Sequence, residues 1–392
     1  MSFLLIYICL FVIIALILVL KFFIKDPSID VIERDYNYNI IDLNKEFECK
    51  LISLEEFNKL FEAELVILPI SHCGVGYFND IMYLYNQNLK KTAEKTHFLK
   101  YLLSFLRYWS KEIQQNFKDI VKYHFVIDLS DGHLGSHGFI NASHCLRPMK
   151  YPKDKFINCL DIQDISYTTT PILHKHKQIF TFSGLRNDPL SFCVPDPYFI
   201  DTKNHDRRED VWFKELDKVS CTFDQKKNKV IFRGDLSNGH PINSLNSNYR
   251  NYLHKLYKEN KLHKSVDMDT NRLNQAEMAD NKFILDIDGW SNCWDALRWK
   301  LYSGSVVLKV MSPFKQWYYD DLKPYVHYIP IKSDCSDINE VINWCFENLD
   351  LCGEIGNNGR QYIKNILTYD NVTELFRNKV NTLFRQGIVV GS

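Results

Sequence analysis

Neither sign of charge is in excess in this chain: Lys+Arg and Asp+Glu both number 48 in 392 residues. A balanced chain has no bulk electrostatic grip on nucleic acid, so no nucleic-acid partner is expected. Cys-x-x-Cys pairs and zinc-ligand spacings are missing too, which removes a structural zinc module. There is no internal repeat and no low-complexity segment. What is present is a hydrophobic content of 45%, enough for two ordinary domains with sizeable cores. Aromatics reach 14%, a level that suits carbohydrate sites and packed cores alike. The eleven cysteines are an odd number, and Cys9 lies in the apolar N-terminus, which leaves ten that could form up to five disulfides or stay as buried thiols.

Residues 3–20, FLLIYICLFVIIALILVL, carry no charge. As a helix they would span about 27 Å against a hydrocarbon thickness of roughly 30 Å. No basic region precedes them and no A-x-A site follows, so an uncleaved membrane anchor over residues 1–25 is expected. Residues 26–45 are polar and read as a linker. Lys21 and Lys25 follow the apolar run, and on charge alone they would hold the downstream chain in the cytoplasm.

Farther along, LISLEEFNKLF reads as a short helix and ELVILPI as a strand running into a Gly-bearing loop, SHCGVGYFND. Residues 94–117 are amphipathic and helical. KYHFVIDL is a strand running toward Asp131, with the loop DGHLGSHG at its end. His72 with Cys73, and HKHK at 174–177, read as loop residues rather than metal ligands. KVIFRG is a strand, helices follow at about 248–260 and 271–279, and three more close the chain from Ser336 or Asp337 onward.

The chain is organised around residues 282–330. KFILDID is a buried strand ended by Gly289, WSNCWDALRWKLYSG a helix capped by Ser291 or Asn292 and stopped by Gly304, and SVVLKV a second buried strand. This is a βαβ unit, which implies a parallel sheet with ligands beyond the carboxyl ends of its strands. Asp288, Gly289, Ser291 and Asn292 fall at that turn, where backbone N–H groups suit a phosphate. Arg298, about two turns into the helix, can offer its forked guanidinium to the same anion.

Four ordered blocks over roughly residues 120–365 resemble the Rumi-like protein O-glucosyltransferases and capsule-associated transferases, glycosyltransferase family ninety. They are FVIDLSD with Asp131; IFTFSG with Val194-Pro195-Asp196-Pro197; Phe232-Arg233-Gly234; and Asp288-Gly289, Ser291, Arg298, Ser305 to Lys309, and Leu322 to Pro330 with His327 and Tyr328. Gly132-His133 stands where the family has Trp-Pro, and Asp235 where it has Ser. Pro241 stands where some members have Arg, and the nearest downstream candidate is Arg250.

The resemblance implies two Rossmann-like α/β domains facing a cleft (a GT-B-like fold). The acceptor-side domain would cover 46–200, the nucleotide-sugar domain 201–370, and a C-terminal helix and tail 371–392. It implies a UDP-glucose or UDP-xylose co-substrate and transfer to a protein Ser/Thr hydroxyl or to a glycan. It also implies a catalytic domain in the endoplasmic reticulum or Golgi lumen and some disulfide pairing; sequons at Asn141 and Asn371 are compatible with that compartment, though two in a chain this rich in Asn is close to chance. Asp131 is the expected base of an inverting transfer, with Asp128 competing. Arg233, Gly234, Asp235, Asp288, Gly289, Ser291, Asn292 and Arg298 are the expected donor contacts. Two D-x-D sequences, Asp286-Ile287-Asp288 and Asp267-Met268-Asp269, keep a metal-dependent transferase open. The expectation is no metal, with Arg and backbone N–H groups in its place. The altered residues at 132–133 and 235–241 also leave open an inactive binding protein of the same fold.

Overall fold

A computed structural model describes residues 49–63, 72–79, 81–85, 106, 122–128, 179–186, 191–196, 199, 209–218, 222–236, 241–242, 247–289, 291–312, 314–385 and 390–391. The chain divides into two units, Met1–Glu46 and Phe47–Ser392, and every described residue falls in the second. The apolar run 3–20, the linker, the 94–117 helix, Asp131 with its loop, HKHK and Asn141 lie outside the described residues. Among the described residues no helix is long and apolar enough to cross a membrane.

The first sheet has the order β1-β3-β2-β4-β5-β7. It is built from β1 (Cys49–Leu51), β2 (His72–Phe78), β3 (Ile81–Tyr85), β4 (Lys122–Asp128), β5 (Ile179–Thr181) and β7 (Ser191–Cys193), and β6 (Gly184–Leu185) lies outside it. β2 runs antiparallel to both β3 and β4, whereas β4, β5 and β7 are parallel. The sheet is therefore mixed, with the parallel strands β4, β5 and β7 on one side of β2, an arrangement that doubly-wound α/β folds share. The expected Gly-bearing loop at 71–80 is strand β2. Its glycines serve packing: a Cβ on Gly76 would stand 2.2 Å from the ring of Phe61. Phe61 closes α1 (Leu54–Phe61), the short helix the sequence predicts, which starts at a Ser53 capping box. Asn79, with φ 51°, makes the hairpin turn into β3.

The second sheet is wholly parallel. α2 (Glu209–Lys218) precedes β8 (Lys227–Arg233); a small hairpin of β9 (Pro241–Ile242) and β10 (Ser247–Asn248) leads into α3 (Tyr249–Lys258). Then come β11 (Val266–Asp269), α4 (Gln275–Ala279), β12 (Asn281–Asp286), α5 (Ala296–Tyr302) and β13 (Val306–Val310). β14 (Phe314–Lys315) crosses to pair with β6, and β15 (Ile329–Ile331) is the last parallel strand. The order is β11-β8-β12-β13-β15. β12 and β13 are buried along their whole length, as continuous apolar runs between helices require.

α6 (Ile338–Glu347), α7 (Leu349–Asn365) and α8 (Tyr369–Arg385) follow, and β16 (Val390–Gly391) returns to pair antiparallel with β4. Gly304 ends α5 at φ +72°, the left-handed stop the sequence predicts. α7 passes so near this turn that a Cβ on Gly356 would come within 2.6 Å of the Gly304 carbonyl oxygen. Among the described cysteines, Cys193, Cys293, Cys335, Cys345 and Cys352 are buried free thiols, which gives the implied disulfides no support there. The Asn371 amide of the second sequon donates to the Asn365 carbonyl at 2.6 Å.

Candidate active site

In chain order the parallel sheet reads 2-1-3-4-5, and the order reverses between β8 and β12. Connections from those two strands leave on opposite faces, which opens a crevice at their carboxyl ends. Arg233 ends β8, and Asp286 to Gly289 end β12. The fold thus brings two of the sequence-predicted blocks to one place.

Below the crevice lies a closed set of charges. Lys300 Nζ donates to Asp286 at 2.7 Å, Lys309 Nζ to Asp286 at 2.7 Å and to Asp288 at 3.2 Å, and the Ser312 hydroxyl donates to the other oxygen of Asp288. All of these side chains are buried. Burial alone would raise the Asp286 carboxyl, but the two lysines more than offset it and hold the group well below the usual carboxylate range. Burial likewise works against the Lys309 ammonium, and Asp286 and Asp288 hold it above its ordinary value. Cys293, pushed up by burial, donates weakly to the Ile287 carbonyl at 3.0 Å. Asp286, Asp288 and Cys293 converge within 4.8 Å, a spacing a metal ion could use. Lys309 already supplies the positive charge between the two carboxylates, so these residues fit a lysine better than a divalent cation.

Above that layer, pairing stops. Arg298 is 1% exposed, and Nε, Nη1 and Nη2 have no hydrogen-bond partner among the described residues. Its guanidinium lies 4.1 Å from the ring centroid of Phe199 and 5.8 Å from that of Phe213. Ser291 Oγ and Asn292 Nδ2 are also buried and unpartnered. A buried guanidinium facing aromatic rings keeps its full desolvation cost until an anion arrives.

Several predicted residues take other positions. The helix does not start at Ser291 or Asn292: α5 begins at Ala296 with Asp295 at the N-cap position, without a side-chain capping hydrogen bond. Asn292 instead accepts from the Trp294 N–H at 2.6 Å, and Trp294 sits at φ 51°, which blocks any earlier start. Arg298 is therefore the third helical residue, not two turns in. Asp288, expected to meet a sugar or ribose hydroxyl, is taken up by Lys309 and Ser312. Arg233 is tied to Asp267: Nη2 donates to Oδ1 at 2.7 Å and Nη1 to the carbonyl at 3.0 Å, while Nε has no partner. The same pairing removes Asp267-Met268-Asp269 as a free carboxylate pair. Asp235 is exposed, Gly234 follows the strand end, and Gly289 lies against Arg250. Asp128 closes β4, and Asp131 lies outside the described residues. The sequence reading gave no role to Lys300, Lys309 or Ser312; lysines inside otherwise apolar elements were the available signal.

The family model for glycosyl transferase family 90 matches residues 153–382, well over half of the chain and all of the second sheet. The chain belongs to glycosyl transferase family 90. Protein 179R of Invertebrate iridescent virus 6 is 32% identical over 113 residues, 27% of this chain and 9% of the viral protein. Rat protein O-glucosyltransferase 1 is 41% identical over 75 residues, 19% of either chain. The family 90 chain thus spans about a tenth of the first relative and about a fifth of the second. Among solved structures, Anabaena Alr3699/HepE in complex with UDP superposes with a TM-score of 0.34 at 11% identity, over 53% of this chain and 64% of that one. At that score the likeness decides nothing. Asp131 lies upstream of the family-matched residues, whereas Arg233, Asp288, Ser291, Asn292 and Arg298 lie within them.

Proposed function

We propose that this family 90 chain is an inverting, metal-independent glycosyltransferase that moves glucose or xylose from a UDP-sugar to a Ser or Thr hydroxyl of a protein. The observation that carries the reading is Arg298, a fully buried guanidinium with no hydrogen-bond partner among the described residues, in the first turn of α5, the helix that follows β12. A diphosphate matches it in charge and in planar, forked geometry. Ser291 and Asn292 supply further polar atoms beside it. The family relatives named O-glucosyltransferases favour a protein acceptor. A two-domain, GT-B-like arrangement, with the second sheet as donor half, suits the switch-point position of the site.

In this reading Asp131 takes the proton from the acceptor hydroxyl. The acceptor oxygen attacks the anomeric carbon, the bond from that carbon to the diphosphate breaks, and UDP leaves with its charge met by Arg298. Lys309 between Asp286 and Asp288 supports a mechanism without a divalent cation at that pair. An anchor at residues 3–20 and a lumenal catalytic domain complete the proposal.

The test is UDP release from UDP-glucose and UDP-xylose by the full chain, with and without EDTA, beside Asp131→Asn and Arg298→Met. Release that survives EDTA and is lost in both variants is the expected result. Release abolished by EDTA would move the assignment to a metal-dependent transferase. Folded protein that neither binds UDP nor releases it from a UDP-sugar would end the reading.

A further inference from the structure

We propose that Arg250 is the positioning residue of the donor site, a brace that sets the gap between the two loops at the switch point. The inference rests on the donor-site reading above. Arg250 is the second residue of α3 and is half-buried. Its Nε and Nη2 donate to the Ile287 carbonyl at 3.2 and 3.1 Å, and its Nη1 donates to the Asp235 carbonyl at 3.2 Å. Ile287 belongs to the turn after β12, and Asp235 to the loop after β8. One rigid guanidinium therefore joins the two strand ends whose divergence makes the crevice.

Two neighbours hold the brace in place. The guanidinium carbon lies 5.8 Å from the Phe232 ring centroid, on the strand that delivers Asp235. Gly289 lies alongside it: a Cβ there would be in ordinary van der Waals contact, 3.4 Å from Nη2 and 3.9 Å from Nη1. The gap so fixed is that between the β8 loop, which carries the exposed carboxylate of Asp235, and the turn leading to Ser291 and Asn292. Its width decides whether a diphosphate meets the buried donors without meeting Asp235. Pro241, on the β9 strand, has no charge or side-chain donor to give to this crevice, so the forked group comes from α3.

The bridging role separates from a charge role and from a stability role. UDP affinity by titration calorimetry, thermal denaturation and near-UV circular dichroism are compared for the full-length wild type, Arg250→Lys and Arg250→Gln. Lysine keeps the charge but has a single nitrogen and cannot span both carbonyls. Both folded variants should bind UDP about tenfold more weakly, with KM for the UDP-sugar raised more than kcat is lowered. Wild-type affinity in Arg250→Lys would overturn the bridge, because charge alone would then suffice. A lowered Tm with unchanged UDP affinity in the folded variants would leave a merely structural arginine and overturn it as well, with the donor reading intact. A wild type that does not bind UDP would remove the donor reading and this inference together. Should Arg250→Gln fail to fold, Arg250→Lys carries the comparison.

Discussion

The two ends of the parallel sheet treat buried polar groups in opposite ways. At the amino end, Lys226 is buried and donates to the Ala279 carbonyl, the Ser303 carbonyl and the Ser305 hydroxyl. Ser305 in turn donates to Asn281, and the Asn281 amide donates to the Glu277 and Met278 carbonyls. At the carboxyl end the lower layer, Asp286 with Lys300 and Lys309, is closed in the same manner. The next layer, Ser291, Asn292 and Arg298, is buried and open. Closed networks hold a fold in one arrangement, whereas an open buried cation stores a cost that a ligand can remove. The contrast separates residues that keep the sheet together from the residues that the proposed function assigns to a diphosphate.

The sharpest way to break that contrast is Asp286→Asn. It takes from Lys300 its one carboxylate and from Lys309 one of two, Asp288 remaining, and a loss of about 3–5 kcal/mol in urea denaturation is expected; a loss within the scatter of surface substitutions would mean the network is not closed. Arg298→Met comes next. UDP affinity should fall by about 10- to 100-fold, the worth of charge-assisted hydrogen bonds, while stability without ligand stays level or rises. A destabilised Arg298→Met would show that this arginine is structural. Lys226→Met should cost about 1–3 kcal/mol in thermal or urea denaturation and leave UDP affinity untouched, since its partners are at the far end of the strands.

The smallest effect is on pH dependence. Because the folded Asp286 carboxyl is depressed, its stabilisation is fully present above the ordinary value of 3.8 and is lost as pH falls through the lower folded value. The stability gap between wild type and Asp286→Asn should therefore be constant from neutrality to about that value and narrow only in stronger acid. A gap that closes at higher pH would contradict the ion pairs.

Much of the second sheet was legible because its signals are local. KFILDID and SVVLKV are apolar runs of strand length, and Gly304 needs a conformation few other residues adopt. The switch point was less so: β11 contributes only Val266–Asp269, and its place beside β8 depends on tertiary pairing. The helix start was misplaced because the positive φ of Trp294 has no sequence signature, and Asn292 caps a turn as readily as a helix. Asp288 was legible as a turn residue, but its pairing with Lys309, one strand away, was not. In the first sheet Gly74 and Gly76 resembled a loop; the nearness of Phe61 explains glycine at position 76 of β2. Arg250 stood at the edge of legibility, visible as the nearest arginine downstream of Pro241 but without a hint of the carbonyls it joins.

One strand pairing bears on how the chain is made. β5 covers only Val126–Asp128 on its side of β4, and β16 pairs with the same strand at Tyr123 and His124 through Gly391 and Val390. The partners are separated by well over two hundred residues, and closing so large a loop is slow relative to local helix and hairpin formation. During synthesis from the N-terminus, the sheet whose strands emerge first cannot complete this edge until the second sheet and its helices have left the ribosome. The earlier half of the protein is therefore the later one to finish, and in the interval part of β4 is an unpaired edge, the kind of surface on which nascent chains associate wrongly.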